Sequence, residues 1–253
     1  MTISADNGPY TKSTSPRRAS EQPPIAQKLA CLFALPVSAL CLVLSAPMLF
    51  AGVASEQAEL ALRNWQRSDT PPSESYWNMS FQRAVSAVEQ APITNAEYLD
   101  RLGRVLLWGS LVAPEGARRE TQRQGALQAF RQSVEARPVW PWTWLRLAYA
   151  KQALHQMDDE YDLAMRRTNE LGAGRMELDS DLAALGFSAW SELTPSQRTI
   201  TLEAANRSVA FSKKEALHMY NLAKATGLAT PLCWSLGSAV KAEQQICKEE
   251  GSQ

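Results

Sequence analysis

Histidine is almost missing from this chain, with only His155 and His218 among 253 residues. The side chain that titrates near neutrality and most often binds transition metals is therefore scarce. His155 with Asp158, Asp159 and Glu160 comes nearest to a ligand cluster, but acidic runs at a helix start ordinarily serve as caps and dipole partners. A glycine-rich phosphate loop and a G-x-S-x-G elbow are also lacking. These gaps predict no catalytic residue, no metal site, no cofactor and no enzymatic activity. Net charge is absent too: 26 Lys and Arg balance 26 Asp and Glu. Removing the first 55 residues leaves 22 basic against 24 acidic side chains. Without a basic field, nucleic acid is excluded as an expected partner. Val and Ile are few and nowhere alternate convincingly with polar residues. Ala, Leu, Glu, Gln and Arg dominate instead, which predicts an all-α fold.

What is present is a long greasy stretch. Leu29 to Ser55 contains no charged residue. Roughly 20 apolar residues suffice to cross a hydrocarbon core, so residues 29–55 are expected to meet the lipid bilayer. Pro36 and Pro47 lie within the run, and membrane helices tolerate both. A cleaved signal peptide, with Gly52 and Ala54 near the cut, is the alternative; the apolar run and the segment before it are both long for one. Lys28, Arg17 and Arg18 precede the run, whereas Glu56 and Glu59 follow it, ahead of Arg63. The positive-inside rule then puts the N-terminus in the cytoplasm and the remainder across the membrane, in the periplasm of a two-membrane bacterium. Residues 1–25 are polar and rich in Ser, Thr and Pro, and read as a disordered tail. The expected organisation is a tail over 1–25, a transmembrane helix over 26–55, a juxtamembrane helix and linker over 56–75, and a helical domain over 76–253. In the juxtamembrane helix Leu60, Leu62 and Trp65 are the apolar points.

Helical patterns then alternate with Pro, Gly and Asn punctuation, predicting helices over 76–90, 95–112, 117–136, 141–156, 159–171, 176–193, 196–211, 213–227 and 232–249. Asn95, Asp158, Thr194 and Thr230 stand at N-cap positions, with Pro195 and Pro231 as first-turn prolines. A repeat test adds detail. Ala126, Phe130, Ser133 and Pro138 have the spacing of a second TPR helix. Trp144, Leu147 and Ala148 fit the first helix of the next repeat, and Tyr161, Met165 and Thr168 fit its degenerate second helix. Leu99, Leu102 and Gly103 form an earlier first helix, whose long connection carries the charged stretch Pro114–Arg123. A small residue at Gly103 or Ala148 lets a partner helix approach, and Phe130 fills the space between. TPR-like hairpins forming an α-solenoid are expected.

Of the four cysteines, Cys31 and Cys41 fall in the apolar run. Cys233 and Cys247 fall outside it, where disulfides persist. One straight helix over 231–248 would hold this pair roughly 21 Å apart, too far to bridge; a break at Gly237–Ser238 would permit the bond. Tryptophan is abundant, with eight residues, and Trp140, Trp142 and Trp144 cluster around Pro141. Trp144 reads as core. Trp140 and Trp142, with Tyr149, are the candidate binding residues, because aromatics on a concave face anchor partners or stack on sugars.

Asn95, Tyr98, Leu99, Leu102 and Gly103 resemble the N-x-x-Y-L-x-x-L-G opening of VpsP-type polysaccharide-biosynthesis proteins. Arg137, Pro138, Trp140, Pro141, Trp142 and Trp144 are similar to that family's RP-x-WP-aromatic-x-W signature. Tyr161, Ala164, Met165, Arg166, Leu171 and Gly172 resemble the helix that follows in it. Leu185, Gly186 and Trp190 resemble its next element, with Phe187 in place of a Leu. Ala173, Gly174 and Arg175 depart from the expected Pro-Trp-Glu-like turn. The resemblance covers roughly residues 58–210, judged by motif spacing within a repeat array. It implies a single-span inner-membrane protein made with exopolysaccharide machinery. The single span, the TPR pattern and the lack of a catalytic constellation add the expectation of a scaffold acting on other envelope proteins, with polysaccharide itself, bound at Trp140 and Trp142, as the alternative partner.

Overall fold

The computed structural model describes residues 25–68 and 70–247. The expected N-terminal tail therefore falls outside the described residues, apart from Ile25. Every regular element among them is a helix: α1 (Ile25–Arg67), α2 (Glu74–Gln90), α3 (Ala96–Val112), α4 (Ala117–Ala136), α5 (Pro141–Ala153), α6 (Asp159–Gly172), α7 (Met176–Ser188), α8 (Pro195–Phe211), α9 (Lys213–Ala225), α10 (Ala229–Ser235) and α11 (Ser238–Gln244). The chain divides into two units at Ser45/Ala46.

The first unit holds the start of α1. Among the described residues α1 is the one helix long and apolar enough to cross a membrane. The end of α1 belongs to the second unit. There Ala51, Ala54, Ala58, Leu62 and Trp65 form a buried stripe at spacings of three and four, with Ala61 buried beside Leu62, the period of one helix face. Leu60, expected among the apolar points of this helix, instead points outward with 57% of its surface exposed. The last residues of the uncharged run also differ from expectation. Ala51, Ala54 and Ser55 are buried, and the Arg101 guanidinium donates a hydrogen bond to Ser55 Oγ. The face that packs on α3 therefore begins inside the expected span of 26–55. Residues 29–50 still provide about 33 Å of helix, enough for a hydrocarbon core.

In the second unit each helix from α2 to α6 packs on its sequence neighbour, as do α7, α8 and α9. α5 also meets α7, α6 meets α8 and α7 meets α9. Caps set several starts. Asn95 Oδ1 accepts the backbone N–H of Glu97 at 2.9 Å. Asp158 does the same for Glu160 and Tyr161, and Thr194 forms a reciprocal capping box with Gln197. Thr230 is not a cap: α10 starts earlier, at Ala229, and Thr230 lies inside it. The Pro114–Arg123 stretch is mostly helix, because α4 starts at Ala117 after a short turn through Gly116, whose φ of 117° suits glycine. α5 stops at Ala153, short of the expected 156, since His155 takes a left-handed φ of 54°. α7 stops at Ser188 rather than 193, and a pair of turns closes the gap to α8.

The expected helix over 232–249 is broken into α10 and α11 at Leu236–Gly237. The break turns the chain back and lets Cys233 and Cys247 bond, their Cα atoms 5.7 Å apart. A loop of about 15 residues closed in this way gains about 3 kcal/mol from the restricted unfolded chain. Reduction, or Cys247→Ser, is expected to raise protease cleavage in α10 and α11 before cleavage elsewhere. Unchanged cleavage there would show that the staple contributes nothing.

A buried cation lies where the metal-like acidic run appears in the sequence. Lys151 is 1% exposed and donates to Asp158 at 2.8 Å and Glu160 at 2.6 Å; Arg131 also grips Glu160. Among the described residues no group of His, Cys, Asp and Glu comes together as a metal site. Burial works against the Asp158 carboxylate, but Lys151 and the backbone N–H groups of Tyr161 and Glu160 hold its pKa below the ordinary value. The Arg131 hydrogen bond, aided by Lys151, outweighs burial and holds Glu160 below its ordinary value. Both folded-state pKa values are thus depressed. Their stabilisation is complete above the usual carboxylate range, near pH 4, and is lost as pH falls through the lower folded values. Circular dichroism should show acid unfolding below about pH 4, and Lys151→Met should blunt this part of the pH dependence. An identical acid profile in the variant would remove Lys151 from the explanation.

Candidate binding groove

The Trp-Pro turn between α4 and α5 governs the site. Trp140 is the N-cap residue of α5 and Pro141 its first residue, which fixes how the chain enters the helix. Trp144 then turns inward, 9% exposed, and donates its indole N–H to the Pro138 carbonyl at 2.7 Å. Leu147 and Ala148, on the same helix, are buried with Ala126 and Phe130 of α4. At Gly103 an added Cβ would lie 2.5 Å from Phe130 Cε1, so the ring occupies the space a side chain would need. Leu102 is partly buried against this core, and Pro138 is exposed. With α5 fixed in this way, Trp142, Arg146 and Tyr149 fall on one face, three or four residues apart.

That face lines an open cavity of about 950 Å³. It brings Trp140, Trp142 and Tyr149 together, joined by Trp108 of α3. Residues not expected to bind anything from the sequence make up most of the wall: Glu59, Arg63 and Gln66 from the end of α1, Asp100, Arg101 and Arg104 from α3, Arg137 before the turn, Arg146 from α5 and Asp181 from α7. Their contacts are ordered. Glu59 is gripped by Arg63 at 3.1 Å, Arg104 at 2.8 Å and Arg101 at 3.3 Å. Arg101 also pairs with Glu97 and Glu56. Asp100 accepts hydrogen bonds from Thr143 Oγ1 and from Arg146. The Arg137 guanidinium lies over the Trp140 ring, 4.1 Å from its centre, and Arg146 lies 5.8 Å from the Trp142 centre.

Electrostatics along the groove follow from this crowding. Burial, and next the like charge of Arg146, pull Arg104 below its ordinary pKa, against Glu59 and Asp100. Burial pushes the Tyr149 hydroxyl up to about 12, and the Asp181 charge adds to it. Asp181 reaches water at the rim, yet the surrounding protein and then Glu177 raise its pKa, opposed by Arg146 and His218. Arrayed guanidinium groups of this kind bind carboxylates through paired N–H donors, and the aromatic rings add contact area at little cost in rotamer freedom.

Tyr149 also borders a smaller cavity of about 340 Å³, with Arg123, Gln152, His155 and Glu192. The other tryptophans lie elsewhere. Trp65 and Trp77 are core residues shared by α1, α2 and α3, and Trp234 of α10 is 84% exposed. Compared with protein-family models and with curated proteins, the chain matches none.

Proposed function

We propose that this chain is a single-span protein of the bacterial inner membrane whose periplasmic, TPR-like domain acts as a non-catalytic scaffold in exopolysaccharide biosynthesis or export. The observation that carries the reading is the groove, where Trp140, Trp142 and Tyr149 share a wall with several arginines. Trp, Tyr and Arg are the residues that most often anchor protein partners. The packing of α5 to α9 on first and second neighbours supports a stacked array of hairpins. The length of α1 supports the anchor, and the basic residues before it support a cytoplasmic N-terminus. The Cys233–Cys247 bond supports an oxidising compartment for the domain. The VpsP-like motifs around Tyr98 and Trp140 supply the link to polysaccharide.

The test is a photo-reactive residue at Gln66 or Trp140 of the full chain in intact cells, with Gln128 and Leu217 as exposed positions outside the groove. Adducts to the same envelope protein from both groove positions, and not from the controls, are expected. No adduct, or equal adducts from all four, defeats the reading. A second reading, glycan binding on Trp140 and Trp142, is favoured by their place on the groove wall. It requires that Trp140→Ala and Trp142→Ala weaken polymer binding.

A further inference from the structure

We propose that the groove takes a carboxylate-bearing, extended peptide segment of the partner protein, with Arg137 as its primary anchor and Arg146 as a second contact. This deepens the scaffold reading and rests on it. The first observation is an imbalance in pairing. Arg63, Arg101 and Arg104 all share Glu59, and Arg146 takes Asp100. Arg137 has no carboxylate within ion-pair distance among the described residues, although it lines the same cavity. The second observation is order. Placed over the Trp140 ring, 4.1 Å from its centre, the Arg137 guanidinium is held on the ring, and its N–H groups make no hydrogen bond among the described residues. A planar fork held this way loses little freedom on meeting a carboxylate. The strain that Arg146 places on Arg104 points the same way, to surplus positive potential in the wall.

Two features favour a peptide over an acidic glycan. Guanidinium groups already share the ring faces of Trp140 and Trp142, and a sugar would need those faces for stacking. Asp181 and Glu97 also line the groove. Both carboxylates can accept backbone N–H groups, which an extended peptide carries at every residue and an oligogalacturonate lacks. Acidic side chains on an extended peptide backbone therefore suit both signs of charge in the wall.

The experiment uses the full chain in lipid nanodiscs and labelled hexaglutamate, hexaglutamine and oligogalacturonate, with fluorescence anisotropy as the readout. Hexaglutamate should bind at least about tenfold more tightly than hexaglutamine, and less well as salt is raised. Arg137→Glu should remove at least about tenfold of that affinity, Arg137→Lys less, and the exposed control Lys214→Glu none, with thermal unfolding unchanged throughout. Equal binding of the two peptides, or full binding by Arg137→Glu, overturns the proposal. So does tighter binding of oligogalacturonate that Arg137→Glu abolishes, which would assign the groove to acidic glycan. Groove crosslinks that persist in Arg137→Glu would overturn this inference and leave the scaffold reading standing. Hexaglutamate binding lost in Arg137→Glu, in a chain giving no crosslinks, would support the carboxylate anchor and defeat the scaffold reading instead.

Discussion

Glu59→Gln is expected to destabilise the helical domain by about 3–5 kcal/mol, because it leaves the largely buried Arg104 guanidinium without its counter-charge. The Glu59 side chain is 11% exposed and faces Arg101 and Arg104, at 9% and 13%. Arg101 keeps Glu56 and Glu97. Arg104 keeps no carboxylate within ion-pair distance among the described residues, and Arg146 already opposes its charge. The neutral amide is almost the same shape, so packing is preserved and the change is electrostatic. Removing the third partner should matter far less. Arg63 is 54% exposed and pairs one helical turn away, so Arg63→Ala should cost under about 1 kcal/mol. Thermal unfolding of the full chain in micelles compares the two variants. A Glu59→Gln loss as small as that of Arg63→Ala would mean that the network does not hold α1 to α3. Because Glu59, Arg63 and Gln66 also line the groove, the same variant should weaken groove crosslinking without touching the Trp140 turn.

Local signals told most about this fold, and pairings between distant segments told least. Helix starts at Ala96, Asp159 and Pro195 could be read because Asn95, Asp158 and Thr194 accept backbone N–H groups directly. Helix ends were less legible. The stop at Ala153 depends on a left-handed His155, a conformation the histidine side chain does not announce. The break at Leu236–Gly237 was visible as an option, but choosing it requires the disulfide. In the groove, Trp140, Trp142 and Tyr149 could be picked out from their type and their place at a Pro turn. The arginines could not. Arg104 and Glu59 are 45 residues apart, and in the sequence Glu59 has value only as a flank of the apolar run. Charged residues on neighbouring helices gain meaning once the helices pack, and no period in the sequence states which pairs will meet. Leu60 failed for the related reason that apolarity alone does not choose a face. The buried stripe of α1 is mostly alanine, which brings that helix close and leaves Leu60 on the outside.

Phe130→Ala tests the packing beneath the groove, with an expected loss of about 3–5 kcal/mol. The ring is fully buried, and on α3 it meets a residue with no side chain, so a truncated Phe130 leaves a void that Gly103 cannot fill. Gly103→Ala approaches the same contact from the other side. Alanine gains about 1 kcal/mol of helix propensity over glycine. An added Cβ lies 2.5 Å from Phe130 Cε1 and 2.8 Å from Cδ1, and overpacking of that kind costs about 1–3 kcal/mol. The net effect of Gly103→Ala should therefore be smaller than that of Phe130→Ala. Combining Gly103→Ala with Phe130→Leu should be milder than the two single costs added together, since the smaller side chain yields the room that the new methyl needs. Coupling of about 0.5–3 kcal/mol is the range for residues in direct contact. Strict additivity in that cycle, or a Phe130→Ala loss below about 1 kcal/mol, would mean that α3 and α4 are not held together through this ring. The position of the Trp140 turn above them would then need another cause.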